Sequence, residues 1–134
     1  MVVLKTIKVT LIDQVNLTVG GYLQAHPEKT ASGVVVACFG LVFKADIDDL
    51  RESPALAITQ ALGEQHIGRV MAVEPNIDVL PDSLISIGTS LVSTKIALAE
   101  ADIIVGLVAH HSFKEIPNTF LQGKVVVDTC GIWR

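Results

Sequence analysis

Aromatic residues are scarce, at 4% of the chain with one Trp, one Tyr and four Phe, so any core must be built of aliphatic side chains. Charge is sparse too, at 18% of residues against 50% hydrophobic, which excludes a disordered or low-complexity chain. Basic residues are outnumbered, ten Lys and Arg against fourteen Asp and Glu for a formal net charge of −4. That excludes general attraction to nucleic acid or an anionic membrane, both of which need a basic face; any anion site must be local. The only cysteines, Cys38 and Cys130, sit in apolar stretches, without the spacing of a zinc site or a dense disulfide framework, and read as two reduced, buried thiols. No secretory leader appears, and no apolar run reaches the ~20 residues needed to cross a bilayer; a soluble, cytoplasmic protein is the expectation. Glycine is thin where a phosphate cradle would need it: only Gly40 falls in the first strand region. Neither G-x-G-x-x-G nor G-x-x-x-x-G-K-[ST] is present, which excludes the main half of a dinucleotide site.

With 134 residues, the chain is long enough for one domain with a real core and short for a dinucleotide-dependent enzyme with its own substrate domain. Leu4, Ile7, Leu11, Val15 and Leu23 recur near helical spacing over about 4–25, with Gly20-Gly21 expected to weaken or end the regular part. Residues 30–33 read as a turn and 34–43 as a strand buried on both faces. Ser53 suits an N-cap and Pro54 the first helical position, and Ala55, Ile58 and Leu62 then share a face. Gly68 closes that helix; 69–73 is a second strand, ending at a Glu74-Pro75-Asn76 turn. A weak strand over 84–87, a helix over 93–100, a strong strand over 103–108, a short helix within 113–121 and a last strand over 124–128 complete the series. Strands separated by helical segments imply right-handed crossovers. The fold class is α/β, a Rossmann-like three-layer sandwich with a mainly parallel sheet, preceded by an N-terminal helix. Residues 1–30 read as a boundary helix cut from a longer protein and 31–134 as the domain. If the first strand is central, the switch point lies between it and the 103–108 strand, and Lys44 faces the same crevice as Ala109-His110-His111.

The connection leaving the first strand holds Lys44, Asp46, Asp48, Asp49, Arg51 and Glu52 and is longer than a typical strand-to-helix turn. Lys44 reads either as a snorkelling strand-end lysine or as a cation for an anionic ligand. Asp49 and Glu52 suit the positive end of the following helix, whereas Arg51 opposes the macrodipole and requires a carboxylate or a ligand anion; a brace from Asp48 or Asp49 and a ligand contact both satisfy it. His110-His111 carries no metal assignment, because adjacent extended residues diverge and no acidic or cysteine partner stands at ligand spacing. Cys130 has no local histidine to activate it and reads as inert.

The segments FGLVFKADIDDLRESPA, AVEPNIDVLP, AEADIIVGLVAHHSFKEI and VVVDTCGIWR together closely resemble the C-terminal nucleotide-sugar-binding domain of the UDP-glucose/GDP-mannose dehydrogenase family, from about residue 9 onward. The resemblance implies a two-step, NAD-dependent oxidation of a sugar C6 alcohol to a carboxylate for bacterial surface polysaccharide, with an N-acetylmannosamine nucleotide favoured over a glucose nucleotide by closeness of motif. Phe43 and Lys44 match the family's substrate-contacting Phe/Tyr-Lys pair, and Arg51 matches the arginine that reaches toward NAD. The catalytic thiol and the NAD fingerprint would lie upstream of Met1, so no catalytic residue falls within this chain, no turnover is expected of it alone, and the full-length enzyme is expected to be a homo-oligomer. The alternative is a non-enzymatic nucleotide-binding or oligomerisation module. Three positions depart from the family pattern: Ala45 follows the Lys, Ala109 stands before the His of the DH-x-x-F motif, and Cys130 replaces a basic residue that family members turn toward substrate.

Overall fold

The computed structural model describes residues 2–30, 33–47, 49–51, 53–65 and 68–133, with the side chains of 2–10 outside the description. Helix α1 (Val2–Ala25) leads into the central strand β1 (Val35–Phe39). Then follow α2 (Pro54–Glu64), β2 (Arg69–Val73), α3 (Asp82–Ile85), β3 (Ser90–Leu91), α4 (Thr94–Glu100) and β4 (Ile103–Gly106). The chain closes with α5 (His111–Lys114), a 3-10 turn (Asn118–Leu121) and β5 (Val125–Asp128). The strands form one sheet in the order β3-β2-β1-β4-β5, and every pairing is parallel. The chain thus reverses direction across the sheet at β1 and β4, as the expected switch point requires.

The three layers follow from which side chains are apolar. On one face, Val15, Val19 and Tyr22 of α1 and Ile58 and Leu62 of α2 pack on Val36, Cys38 and Ile103. On the other, Ala97 of α4 and Phe113 of α5 pack on Phe39, Met71 and Ile104. Helix α1 runs unbroken through Gly20-Gly21. Each glycine costs about 1 kcal/mol of helix propensity, but burial of Val15, Val19 and Tyr22 returns about 1.5–3 kcal/mol per large apolar side chain, so packing wins. The expected Leu4 and Ile7 contacts lie outside the described side chains. A second tie holds this helix at the amino end of the sheet. The Tyr22 hydroxyl donates to Asp102 Oδ1 at 3.0 Å, the Val35 N–H donates to Asp102 Oδ2 at 2.9 Å, and Lys29 Nζ lies 3.7 Å from Asp102 Oδ1.

Three expectations are corrected. The apolar run 34–43 is strand only to Phe39, because Gly40 adopts φ 106° and turns the chain; Leu41 and Val42 stay fully buried without pairing as strand. Residues 84–87 are not strand: 82–85 form α3 behind Pro81, with Leu84 fully buried, and the edge strand is the two-residue β3. The expected helix in 113–121 is two pieces, α5 and the 3-10 turn, since Pro117 between them offers no N–H to continue a helix. The expected N-cap is in place, with Ser53 Oγ accepting from the Leu56 N–H at 3.2 Å and Pro54 as the first helical residue. None of the described helices is long and apolar enough to cross a membrane.

Candidate functional site

The carboxyl ends of β1, β2 and β4 lie at one rim of the sheet, and the segments that follow them are hydrogen-bonded together there. From β2 comes Glu74, whose side chain is fully buried. A carboxylate so placed requires hydrogen-bond donors for its oxygens, and the neighbouring chain ends supply them. Glu74 Oε1 accepts from the Leu41 N–H at 2.8 Å and the Val42 N–H at 3.2 Å, while Oε2 accepts from the Asn76 N–H at 3.0 Å. The remaining donor is His110 Nε2, at 3.0 Å, from the segment after β4. His110 is itself 1% exposed, with its ring edge-on to Phe113 at 5.2 Å between centroids.

The other ring nitrogen settles the tautomer. His110 Nδ1 accepts the Asp46 N–H at 2.8 Å, so the proton resides on Nε2, where Glu74 receives it. Asp46 answers with Oδ1, which accepts the His111 N–H at 2.9 Å. These two bonds clasp the loop after β1 to the segment after β4. Further bonds close the loop on itself and on the Glu74 turn: Phe43 N–H to Asp49 O at 2.7 Å, Asn76 Nδ2 to Ile47 O at 2.9 Å, and Ser53 Oγ to Leu41 O at 2.6 Å.

Between these fixed points Phe43 and Lys44 are displayed. Phe43 is 52% exposed, unusual for a phenylalanine whose two predecessors are fully buried. Lys44 is exposed, and among the described residues it is paired with no carboxylate. The structure thus ties the segment carrying Lys44 to His110-His111 through Asp46, on the same side of the sheet as the topology predicts, but His110 is buried beneath the loop and does not face the solvent with Lys44.

Arg51 receives its carboxylate from Asp49. Arg51 Nε and Nη2 reach the two Asp49 oxygens at 3.1 and 3.0 Å, and the Arg51 N–H also donates to Oδ1 at 2.9 Å. These bonds hold the Asp49 carboxyl below its ordinary value, and the carboxylate raises the Arg51 guanidinium in turn. The pair is open to solvent, with the Arg51 side chain 89% exposed, so the fork orients more than it stabilises. Asp48 and Glu52 lie outside the described residues.

The sequence reading missed Glu74 and Asn76 as site residues, and looked for an acidic partner of His110 only at metal-ligand spacing. That partner stands 36 residues upstream, and the available signal was topological: β2 beside β1 puts a strand-end carboxylate under the β1 loop. Among the described residues no group of three or more His, Cys, Asp or Glu gathers as a metal site.

The two thiols differ from each other: Cys38 is buried as expected, whereas Cys130 is not. Cys38 is fully buried on β1, and burial pushes its thiol up to about 12, against a smaller lowering by a Thr59 hydrogen bond. Cys130 is exposed, because it lies in the turn beyond β5 where Asp128 accepts backbone N–H groups from Cys130, Ile132 and Trp133. A disulfide-exchange reagent at about pH 8 should titrate one thiol in the native protein and the second only after denaturation, since a pKa of about 12 leaves roughly one thiolate in ten thousand. Two equivalents reacting natively would contradict the placement of Cys38.

Comparison with known proteins follows these contours. A model of the UDP binding domain of the UDP-glucose/GDP-mannose dehydrogenase family matches residues 37–134. The UDP-N-acetyl-D-mannosamine dehydrogenase of Salmonella typhi is 48% identical over 124 residues, covering 92% of this chain and 29% of its own length. The NDP-N-acetyl-D-galactosaminuronic acid dehydrogenase of Ralstonia nicotianae is 52% identical over 99 residues, 74% of this chain and 23% of that protein. The chain thus spans under a third of either relative. Among solved structures, a UDP-N-acetyl-mannosamine dehydrogenase from Staphylococcus aureus superposes with a TM-score of 0.70 at 22% identity, covering 96% of this chain and 27% of that one. That likeness is one of fold.

Proposed function

The chain belongs to the UDP-glucose/GDP-mannose dehydrogenase family through its UDP binding domain, and on that premise we propose that it binds the nucleotide sugar of an NAD-dependent UDP-sugar 6-dehydrogenase. The reaction is oxidation of UDP-N-acetyl-D-mannosamine to the corresponding uronate, for cytoplasmic synthesis of a bacterial surface-polysaccharide precursor. The relatives' names and the shared motifs support an acetamido-sugar nucleotide. On this reading 1–30 is the boundary helix, 31–134 is the UDP-sugar domain, the working enzyme is a homo-oligomer, and the chain alone is inactive.

The observation that carries the proposal is the display of Phe43 and Lys44 at the switch point, on a loop whose ends are tied to a buried Glu74–His110 pair. Lys44 acts as a point cation against the diphosphate, and Phe43 offers an aromatic face to the nucleotide sugar. The residues present do not fit the whole of NAD. The turn after β1 is a single Gly40 packed against Val108, not a glycine-rich cradle for a pyrophosphate. They do fit one contact, from Arg51, whose guanidinium is aimed by Asp49 and exposed beyond it. NAD, when bound, accepts the hydride from C6.

Calorimetry of the 134-residue chain with UDP tests the reading. Lys44→Ala should weaken UDP by about 1.5–3 kcal/mol, the worth of a charge-assisted hydrogen bond, with the thermal transition unchanged. In a full-length dehydrogenase carrying this domain the same change should raise KM for the nucleotide sugar. No heat at millimolar UDP would favour a purely structural module, and unaltered affinity in Lys44→Ala would remove that lysine from the site.

A further inference from the structure

We propose that Asp46 and the buried His110 are positioning residues for Lys44, acting as a clasp that holds the nucleotide-contacting loop at its working height above the sheet; the inference rests on the nucleotide reading above. Asp46 lies two residues from Lys44, so fixing its backbone confines Lys44 Cα to within about 7 Å of it. The clasp is reciprocal, with the Asp46 N–H on His110 Nδ1 at 2.8 Å and the His111 N–H on Asp46 Oδ1 at 2.9 Å.

The backbone at Asp46 points the same way. Its φ is 63°, and no other described non-glycine residue has a positive φ. If conformation alone mattered, glycine would suit the position better. Aspartate sits there at a conformational cost and supplies the oxygen that a glycine lacks; strain held against a specific hydrogen bond is a mark of a constrained, functional geometry. His110 completes the device from below. Because Glu74 accepts the Nε2 proton, Nδ1 is kept as an acceptor, the only state in which it can take the Asp46 N–H. The buried carboxylate thus sets the tautomer, the tautomer sets Asp46, and Asp46 sets Lys44.

The test is UDP calorimetry on the 134-residue chain with thermal unfolding measured alongside. Asp46→Gly keeps the left-handed backbone and deletes the oxygen; it should weaken UDP about 3- to 10-fold with little change in melting temperature. Asp46→Asn tolerates the same backbone and retains a carbonyl oxygen for the His111 N–H, so it should restore affinity. Placed on Lys44→Ala, Asp46→Gly should add nothing further, because a positioning residue loses its effect once its object is gone. Binding by Asp46→Gly within about twofold of wild type, a spread ordinary for surface changes, while Lys44→Ala still weakens UDP, would overturn the clasp and leave the nucleotide reading standing. Indifference to Lys44→Ala, or no binding by the wild type, would remove both.

Discussion

Glu74→Ala should lower the stability of the domain by about 3–5 kcal/mol, because it orphans several buried donors at about 1–3 kcal/mol each, partly relieved by relaxation. The substitution leaves the Leu41 and Val42 N–H groups and His110 Nε2, all buried, without their acceptor. Each would retain its desolvation cost with nothing to offset it. For a chain of this size the melting temperature should fall by roughly 10–20 °C. Glu74→Gln separates the carboxylate from the shape. Its one carbonyl oxygen can serve Leu41 and Val42, but its amide NH₂ then meets His110 Nε2–H, donor against donor. Relief by tautomer exchange would set Nδ1–H against the Asp46 N–H. An intermediate loss of about 1–3 kcal/mol is therefore expected, with increased exchange of the Asp46 amide. A Glu74→Ala protein as stable as wild type would show that water replaces the carboxylate.

Gly40→Ala is expected to cost a similar amount, about 3–5 kcal/mol, by a different route. At φ +106° an L-side chain is strained whatever the space, and the added Cβ would lie 2.5 Å from Val108 Cβ and 2.9 Å from Val108 N. Backbone strain and overpacking each run to about 1–3 kcal/mol. Val108 cannot retreat cheaply, since its N–H donates to Phe39 O at 3.2 Å and its side chain packs on Val42 and Ala55. Urea unfolding should show a lowered midpoint at an unchanged slope. A loss below about 1 kcal/mol, the ordinary effect of a point change, would mean that β1 and β4 can separate at this point.

Much of the sheet was legible because β1 and β4 are continuous apolar runs, β2 is one after Arg69, and a short strand buried on both faces can be little else. Their order, assumed to be the common one with the first strand central, put the Lys44 segment beside His110, and the sheet has that order. What failed had physical causes. A two-residue edge strand such as Ser90–Leu91 carries no periodicity to read, whereas Leu84 is apolar for a reason unrelated to pairing: it fills the space between Leu41, Ala72 and Leu80. Leu41 and Val42 misled in the same way, since apolar character reports burial and not hydrogen bonding. Phe43 was singled out by motif alone, Lys44 by its place at the strand end and Arg51 by its opposition to the helix dipole as well, and a carboxylate for Arg51 is Asp49. Glu74 escaped because a lone acidic residue before proline reads as a turn; its significance exists only once β2 is laid beside β1. Cys130 was misread because the apolar stretch around it ends in a turn held by Asp128, which leaves the thiol outside.

The loop from Leu41 to Ser53 is long and charge-rich, the kind of segment that ordinarily samples many conformations in the free protein. Among its described residues the backbone is instead fastened at Leu41, Val42, Asp46 and Ile47, to Glu74, Ser53, His110 and Asn76. The conformational entropy of those residues, about 1–2 kcal/mol for each backbone fixed, is therefore surrendered when the chain folds, not when a ligand arrives. An anion reaching Lys44 meets a surface already ordered, so affinity can be high for the small number of contacts the loop offers.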